Sequence, residues 1–361
     1  MNESEFLKKS LQISSISGNE EEFGTFLLQF LKDLGFKAWK DSVGNIIGEV
    51  GKGKPVILLC SHMDTVTGSV PVKTEEGKLY GRGAVDAKGS LCAMVCAAAR
   101  FVGKTFPKIV VAGIVEEETT SRGINTLLDS LEGVDFAIFG EPSGVSRICV
   151  ASKGRIHLHV LFKVLSGQSH VSAANVKNPI HVAIEFWNTL KRNLTQKPFR
   201  GKTPYFSVEP NITVLQGGAA TNILPASCEI DIDIRFPFGI KSDQILKKID
   251  QVISDIQKDQ DIQIEYKILS EIQGFRAPKD SRIALALKQA HQEVVGGYPT
   301  FLRKAGTNFM VFLADKYQIP VVSYGPGDSN LGHTSNEHIN LDEYLKSIDL
   351  LEEFIRILFL D

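Results

Sequence analysis

Apolar side chains along the first 140 residues follow two alternating rhythms. Spacings of three and four predict helices over about 3–14, 20–34, 88–102 and 121–130, because such spacing makes one face of a 3.6-residue turn apolar. Between them, short runs rich in Val and Ile predict strands near 36–50, 55–61, 107–115 and 135–139. Helices alternating with strands imply an α/β architecture with helices on both faces of a sheet. From about Gly154 the rhythm changes. Longer alternating strands at Ile156 to Val164, Phe206 to Leu215 and Cys228 to Phe236, with a closing strand near 262–269, are interleaved with helices near 178–194 and 241–258. That order predicts a small α+β sandwich inserted into the first domain. After Gly274 come helices near 280–295, 307–316 and 341–359 and a strand at Val321 to Tyr324. The expected division is a larger domain of residues 1–153 and 271–361 with an inserted domain of residues 154–270.

Length supports two domains, since single cores stop growing at roughly 250–300 residues and this chain has 361. A composition of 43% hydrophobic and 23% charged residues with a formal net charge of −2 describes an ordinary globular protein. It carries no basic surplus to draw nucleic acid or anionic membrane, so neither is expected as a partner. The longest apolar run, Ile109 to Val115, is a strand's length, while a membrane-spanning helix needs about 20 apolar residues. The N-terminal segment has acids and an amphipathic spacing and is read as part of the fold, not as a secretory signal. Five cysteines, an odd set without a C-x-x-C pair, fit a reducing cytoplasm. Cys92 and Cys96, four apart on a helical stretch, are read as packing.

Candidate chemistry collects after the predicted strands. Ser-His62-Met-Asp64 follows Val56 to Cys60. Alternate strand residues share a face, so His62 and Asp64 should project together from the carboxyl end, where open α/β sheets place their sites. A metal-ligating imidazole commonly has its second nitrogen held by a carboxylate or carbonyl, a role Asp64 suits. Read alone, the pair is a weak signal, and a hydrogen-bonded pair at a strand end is the plain reading. Tyr80-Gly-Arg-Gly-Ala-Val-Asp86-Ala-Lys-Gly89 places Asp86 just ahead of a helix, where a capping aspartate is the plain reading. Glu116-Glu117-Glu118 follows the next strand. Three adjacent carboxylates repel one another unless solvated or neutralised by cations. Gly140-Glu141-Pro-Ser143 puts another acid at a strand terminus, and Gly332-His333-Thr-Ser-Asn-Glu337 follows the short strand ending at Tyr324.

In this order, His62-x-Asp64, Gly-Arg-Gly-x-x-Asp86-x-Lys-Gly, Glu117-Glu118-x-x-Ser-x-Gly, Gly-Glu141-Pro-Ser and His333-x-x-Asn-Glu337 resemble the motifs of the dinuclear zinc aminoacylase and carboxypeptidase family. Acetylornithine deacetylase, succinyl-diaminopimelate desuccinylase and glutamate-releasing carboxypeptidases belong to it. The likeness covers essentially the whole chain. The Asp86 loop, Arg303-Lys-Ala-Gly-Thr307 and Tyr324-Gly-Pro-Gly-Asp328 look most like the lysine and ornithine deacylases, which release the amino acid from an acyl or amino-group-carrier-protein adduct.

The resemblance implies a mixed-sheet, zinc-peptidase-like catalytic domain whose insert serves as lid and dimerisation domain. It implies two zinc ions bridged by Asp86, one completed by His62 and Glu141 and the other by Glu118 and His333. Three carboxylate ligands and a bridging hydroxide balance two divalent ions, and cobalt or manganese would suit the same donors. Glu117 is implied as the general base that moves a proton from the bridging water to the departing amine, with Asp64 beside it. His170, in Gly167-Gln-Ser-His170, matches a residue that stabilises the oxyanion across a homodimer interface. Asn222, Arg235 and Thr307 match substrate-binding positions, and an arginine fork suits an α-carboxylate. The implied partner is a small N-acyl amino acid or a carrier-linked one, acted on by a cytoplasmic homodimer.

Two departures stand out. Many relatives have a proline shortly after the oxyanion histidine, whereas this chain reads Val171-Ser-Ala-Ala-Asn175, so a different loop path is expected. Where the lysine-type relatives read Gly-Thr-Ser-Asp-Met, this chain reads Gly306-Thr-Asn308-Phe309-Met310, which removes an acid from the expected substrate pocket. A dipeptidase or glutamate carboxypeptidase on the same fold is the alternative enzyme. A non-catalytic binding or dimerisation module is disfavoured because Glu117 and all five ligand positions are retained.

Overall fold

The computed structural model describes residues 1–171, 176–258 and 261–360; the departing loop after His170 falls largely on residues 172–175, outside them. The chain forms two compact units. One comprises Met1–Val150, Ala277–Leu302 and Phe309–Asp361, the other Ala151–Arg276 and Arg303–Asn308.

The first unit is built on a mixed sheet in the order Lys37–Lys40, Ile46–Val50, Ile109–Ile114, Ile57–His62, Phe136–Gly140, Val321–Ser323 and Arg147–Ser152. The four strands from Ile109–Ile114 to Val321–Ser323 run parallel, and Ile46–Val50 pairs antiparallel at their edge. Every residue of Ile57–His62 and Ile109–Ile114 is buried, as the apolar runs Ile57 to Cys60 and Ile109 to Ile114 require of strands covered on both faces. Burying each large aliphatic side chain contributes ~1.5–3 kcal/mol, so the carboxyl ends of these strands are firmly placed. Helix Lys88–Ala99 packs against them and against the C-terminal helix Leu341–Leu360. Its many small side chains let the backbone approach closely, and the eleven residues from Lys88 to Ala98 are all buried.

The second unit has a four-stranded antiparallel sheet in the order Glu209–Gly217, Ser227–Phe236, Gly154–Val164 and Ile262–Ile272. Ile156, Leu158, Val160 and Phe162 point into a core shared with helices Pro179–Leu194 and Ser242–Gln257. Arg155, His157 and His159 alternate onto the opposite face, as the period of two requires. A two-residue ribbon pairs Ser169–His170 with Ile223–Leu224.

Several elements differ from the sequence expectation. Residues 36–50 form two antiparallel strands, because the Asp41 carboxylate accepts the N–H groups of Val43, Gly44 and Asn45 at 3.0, 3.0 and 2.9 Å and closes a turn. The strand expected from Phe206 begins at Glu209, after a turn of 3-10 helix at Pro204–Phe206. The helix expected from 307 begins at Met310. The short strands Lys73–Glu75, Lys78–Tyr80, Arg147–Ser152, Thr300–Lys304 and His338–Asn340 carried too little periodicity to be read. No helix among the described residues is long and apolar enough to cross a membrane.

Candidate active site

Three neighbouring parallel strands deliver ligand-type side chains to one edge of the first unit. His62 is the last residue of Ile57–His62, Glu116 to Glu118 follow Ile109–Ile114, and Glu141 follows Phe136–Gly140. Asp86 arrives from the glycine-rich turn ahead of Lys88–Ala99. It does not cap that helix, whose first flanking residue is Ala87 with no side-chain cap bond. Its two oxygens face opposite ways. Oδ1 lies 3.2 Å from His62 Nε2, and Oδ2 lies 3.2 Å from His333 Nε2. His62 Nε2 is also 3.8 Å from Glu141 Oε1, and His333 Nε2 is 2.7 Å from Glu118 Oε1. Ligand atoms of His62, Asp86 and Glu118 all fall within 4.8 Å of one another.

The supports are as specific as the cluster. His62 Nδ1 sits 2.9 Å from the Asp64 backbone carbonyl and 3.4 Å from its carboxylate, leaving Nε2 to face Asp86. The Asp64 carboxylate is buried and accepts the Ser17 hydroxyl at 2.7 Å and the N–H groups of Glu117 and Glu118, each at 3.0 Å. One side chain thus orients both His62 and the triple-glutamate segment. Glu116 has φ 54° and turns its carboxylate to Thr120 and Arg122. His333 is also left-handed, with φ 64°. A non-glycine residue in that region is held there by its surroundings, a recurrent feature of functional sites.

Electrostatics follow from packing acids around two imidazoles. Burial works against charge on His62, but hydrogen bonds to Asp64 and Asp86 outweigh it and raise the ring's proton affinity well above normal. Hydrogen bonds to Asp86 and Glu118 raise His333 to about 10. Burial lifts Glu117 well above the usual carboxylate range, and Glu141, Glu118 and Asp86 add to the lift. Asp64 goes the other way: burial opposes its ionisation, yet His62, Ser17 and the Glu118 N–H bring it to about 2. Each imidazole therefore faces a pair of carboxylates, with Asp86 common to both pairs. A divalent cation takes the place of such protons when it binds, and the mixed imidazole and carboxylate donors fit two divalent ions sharing Asp86.

The expected substrate residues lie in the second unit. Arg235 is fixed by Asp233, with Nε 2.6 Å from Oδ1 and Nη2 3.2 Å from Oδ2, while its Nη1 donates to Thr307 Oγ1 at 3.1 Å. Thr307 Oγ1 in turn donates to the Lys153 carbonyl at 2.8 Å. Arg155 shares the Asp233 carboxylate at 2.6 Å, a pairing across strands that no motif signalled. His170 and Asn222 are exposed on either side of the short ribbon, where the Val171 N–H donates to the Asn222 carbonyl at 3.2 Å. Phe309 requires a correction. It does not line a pocket: it is buried in the first unit, with ring centroids 5.8 Å from Phe139 and 5.1 Å from Phe312, so the aromatic replaces an acid by joining the core. His157, His181, His291 and His338 stand outside the cluster; His338 stacks on Tyr80 at 4.7 Å.

The model of the family described as "Peptidase family M20/M25/M40" matches residues 58–357. The chain is 30% identical over 351 residues to a protein of Deinococcus radiodurans named LysW-lysine hydrolase, covering 96% of this chain and 94% of that one. It is 33% identical over 348 residues to a LysW-lysine/LysW-ornithine hydrolase of Sulfurisphaera tokodaii, covering 94% and 90%. Among solved structures, a tripeptidase of Staphylococcus aureus superposes with a TM-score of 0.84 at 20% identity, covering 99% of both chains. A dinuclear metal-binding peptidase of Bacillus subtilis gives 0.72 at 14% identity, covering 99% and 97%.

Proposed function

The chain belongs to peptidase family M20/M25/M40 and is a hydrolase of amide bonds, and on that premise we propose that it releases lysine or ornithine from an N-acyl or carrier-linked glutamyl adduct. One observation carries the chemistry: the two oxygens of Asp86 each face a different imidazole at 3.2 Å, and each imidazole has a second carboxylate beside it. His62 and Glu141 would hold one divalent ion and Glu118 and His333 the other, with Asp86 placed to serve both. Zinc is the proposed metal, with cobalt or manganese able to substitute. When bound, the ions polarise the scissile carbonyl and acidify the attacking water.

The remaining work falls to side chains. Glu117, whose proton affinity burial raises well above that of an ordinary carboxylate, takes a proton from the attacking water and passes it to the departing amine. Asp64 keeps Glu117 and Glu118 in place through their N–H groups. In the second unit, Arg235 and Thr307 bind the substrate carboxylate with Asn222, and His170 donates to the developing oxyanion. Asp233 and Thr307 fix the plane of the Arg235 guanidinium for this task. We read residues 154–270 as the lid and dimerisation domain of a homodimer. The five cysteines, all buried and none in a disulfide, accord with a cytoplasmic enzyme.

The names of the relatives support the substrate class, and a hydrolysis screen tests it. Zinc-loaded protein is offered γ-glutamyl-lysine, γ-glutamyl-ornithine, acetyl-lysine, acetylornithine and simple dipeptides. Release of free lysine or ornithine from the γ-glutamyl or acetyl compounds is expected. Activity confined to the dipeptides would overturn the deacylase reading.

A further inference from the structure

Glu337 carries a part of the site that its position among the motif residues does not reveal. Its side chain has no exposure to solvent, yet it is fully engaged. Oε1 accepts the backbone N–H groups of Val85 and Asp86 at 3.0 and 3.1 Å, and Oε2 accepts Arg82 Nη1 at 2.6 Å. Its carbonyl accepts the Gly81 N–H at 3.2 Å. Arg82 closes the arrangement by donating through Nε to the Gly68 carbonyl at 2.9 Å. The turn from Gly81 to Asp86 is therefore wrapped around one carboxylate contributed from more than 250 positions away, as the sequence separation between Glu337 and Asp86 is 251.

The same late segment supplies His333. It also lays Gly332 against Asp86, so closely that a Cβ at 332 would stand 3.1 Å from Asp86 Oδ2. Within residues 332–337, one stretch of chain thus provides a ligand, limits the swing of the shared carboxylate and clamps the backbone that bears it. Two largely buried N–H groups and a partly buried guanidinium cost free energy when their acceptor is removed, so the clamp has no cheap alternative arrangement.

We propose that Glu337, with Arg82 as its counter-ion, is the positioning residue that holds Asp86 with one oxygen toward each half of the centre. The inference rests on the two-ion reading above. Its signature is distinctive. Loss of a terminal ligand such as Glu141 weakens the binding of one ion, whereas displacement of the shared carboxylate weakens both. Hydrogen-bonded partners of metal ligands typically alter affinity ~10–100-fold.

The test is a zinc titration against a competing chelator with wild type, Glu337→Gln, Glu337→Ala, Arg82→Gln and Glu141→Ala, each checked for folding by circular dichroism. Both binding steps should weaken by ~10–100-fold in Glu337→Ala and in Arg82→Gln, less in Glu337→Gln, which keeps an acceptor for the two N–H groups. Only one step should weaken in Glu141→Ala. Hydrogen exchange of the metal-free proteins gives a second readout that survives any effect on metal: the amides of Val85 and Asp86 should be protected in wild type and exchange faster in Glu337→Ala. Folded Glu337 and Arg82 variants that bind two ions with wild-type affinity and keep those amides protected would overturn this inference alone. A wild-type protein that binds no divalent ion would instead remove the two-ion reading and the inference with it.

Discussion

The two halves of the proposed metal centre use the same kinds of side chain on different foundations. His62 is 1% exposed and ends a strand buried along its whole length, whereas His333 is 49% exposed and sits in a loop with a left-handed backbone. Glu141 and Glu118, their respective partners, are exposed to similar small extents, 12% and 17%. The contrast is therefore in the histidines. The inner half draws its rigidity from the sheet, and the outer half draws it from contacts among loops. An inner ion is consequently expected to be held more tightly and an outer ion to exchange more freely and to meet the substrate.

Substitutions can break this contrast in stages. Asp86→Ala should collapse both halves: elemental analysis should find neither ion retained after gel filtration, and turnover should fall to background. Retention of one full equivalent would show that Asp86 serves a single half. Glu117→Gln should leave both halves intact while kcat falls by ~10²–10⁴, the usual reach of a general base. Near-wild-type turnover with two ions bound would remove Glu117 from that role. The halves separate in the histidine pair. His333→Ala should lose the outer ion and keep the inner with little change in Tm, whereas His62→Ala should lower Tm as well, because it opens a fully buried position and strands Asp64 and Asp86. Equal Tm losses would contradict the asymmetry. The mildest change is Ser17→Ala, which removes one of the hydrogen bonds to Asp64 and should weaken the inner ion by ~10-fold or less. A larger effect on the outer ion would place Ser17 differently.

How much of this was legible beforehand depended on whether local pattern or distant contact decides a position. The Ile57–His62 strand announced itself as an apolar run, and a histidine at its end was a natural ligand. Asp86 was harder: an aspartate ahead of a helix looks like a cap, and only its distances to two imidazoles show otherwise. Glu337, Arg82 and Ser17 act through contacts 47 to 255 positions apart, which no periodicity can encode. Phe309 misled because residue type alone does not say which way a residue at a helix start points, and here the answer is toward Phe139 and Phe312. A Phe309→Leu enzyme should accordingly lose stability and keep its substrate preference, as measured by thermal melts and the relative kcat/KM for lysine and ornithine adducts.

The central claim is that Asp86 stands between two cation sites of unequal exposure. Anomalous diffraction at the zinc edge from crystals grown with zinc tests it most directly. Two peaks about 3.5–4 Å apart are predicted, one beside His62 and Glu141 and one beside Glu118 and His333, each touched by a different oxygen of Asp86, with the His333 peak fading first on brief chelation. A single peak, or both Asp86 oxygens on one ion, would contradict the account.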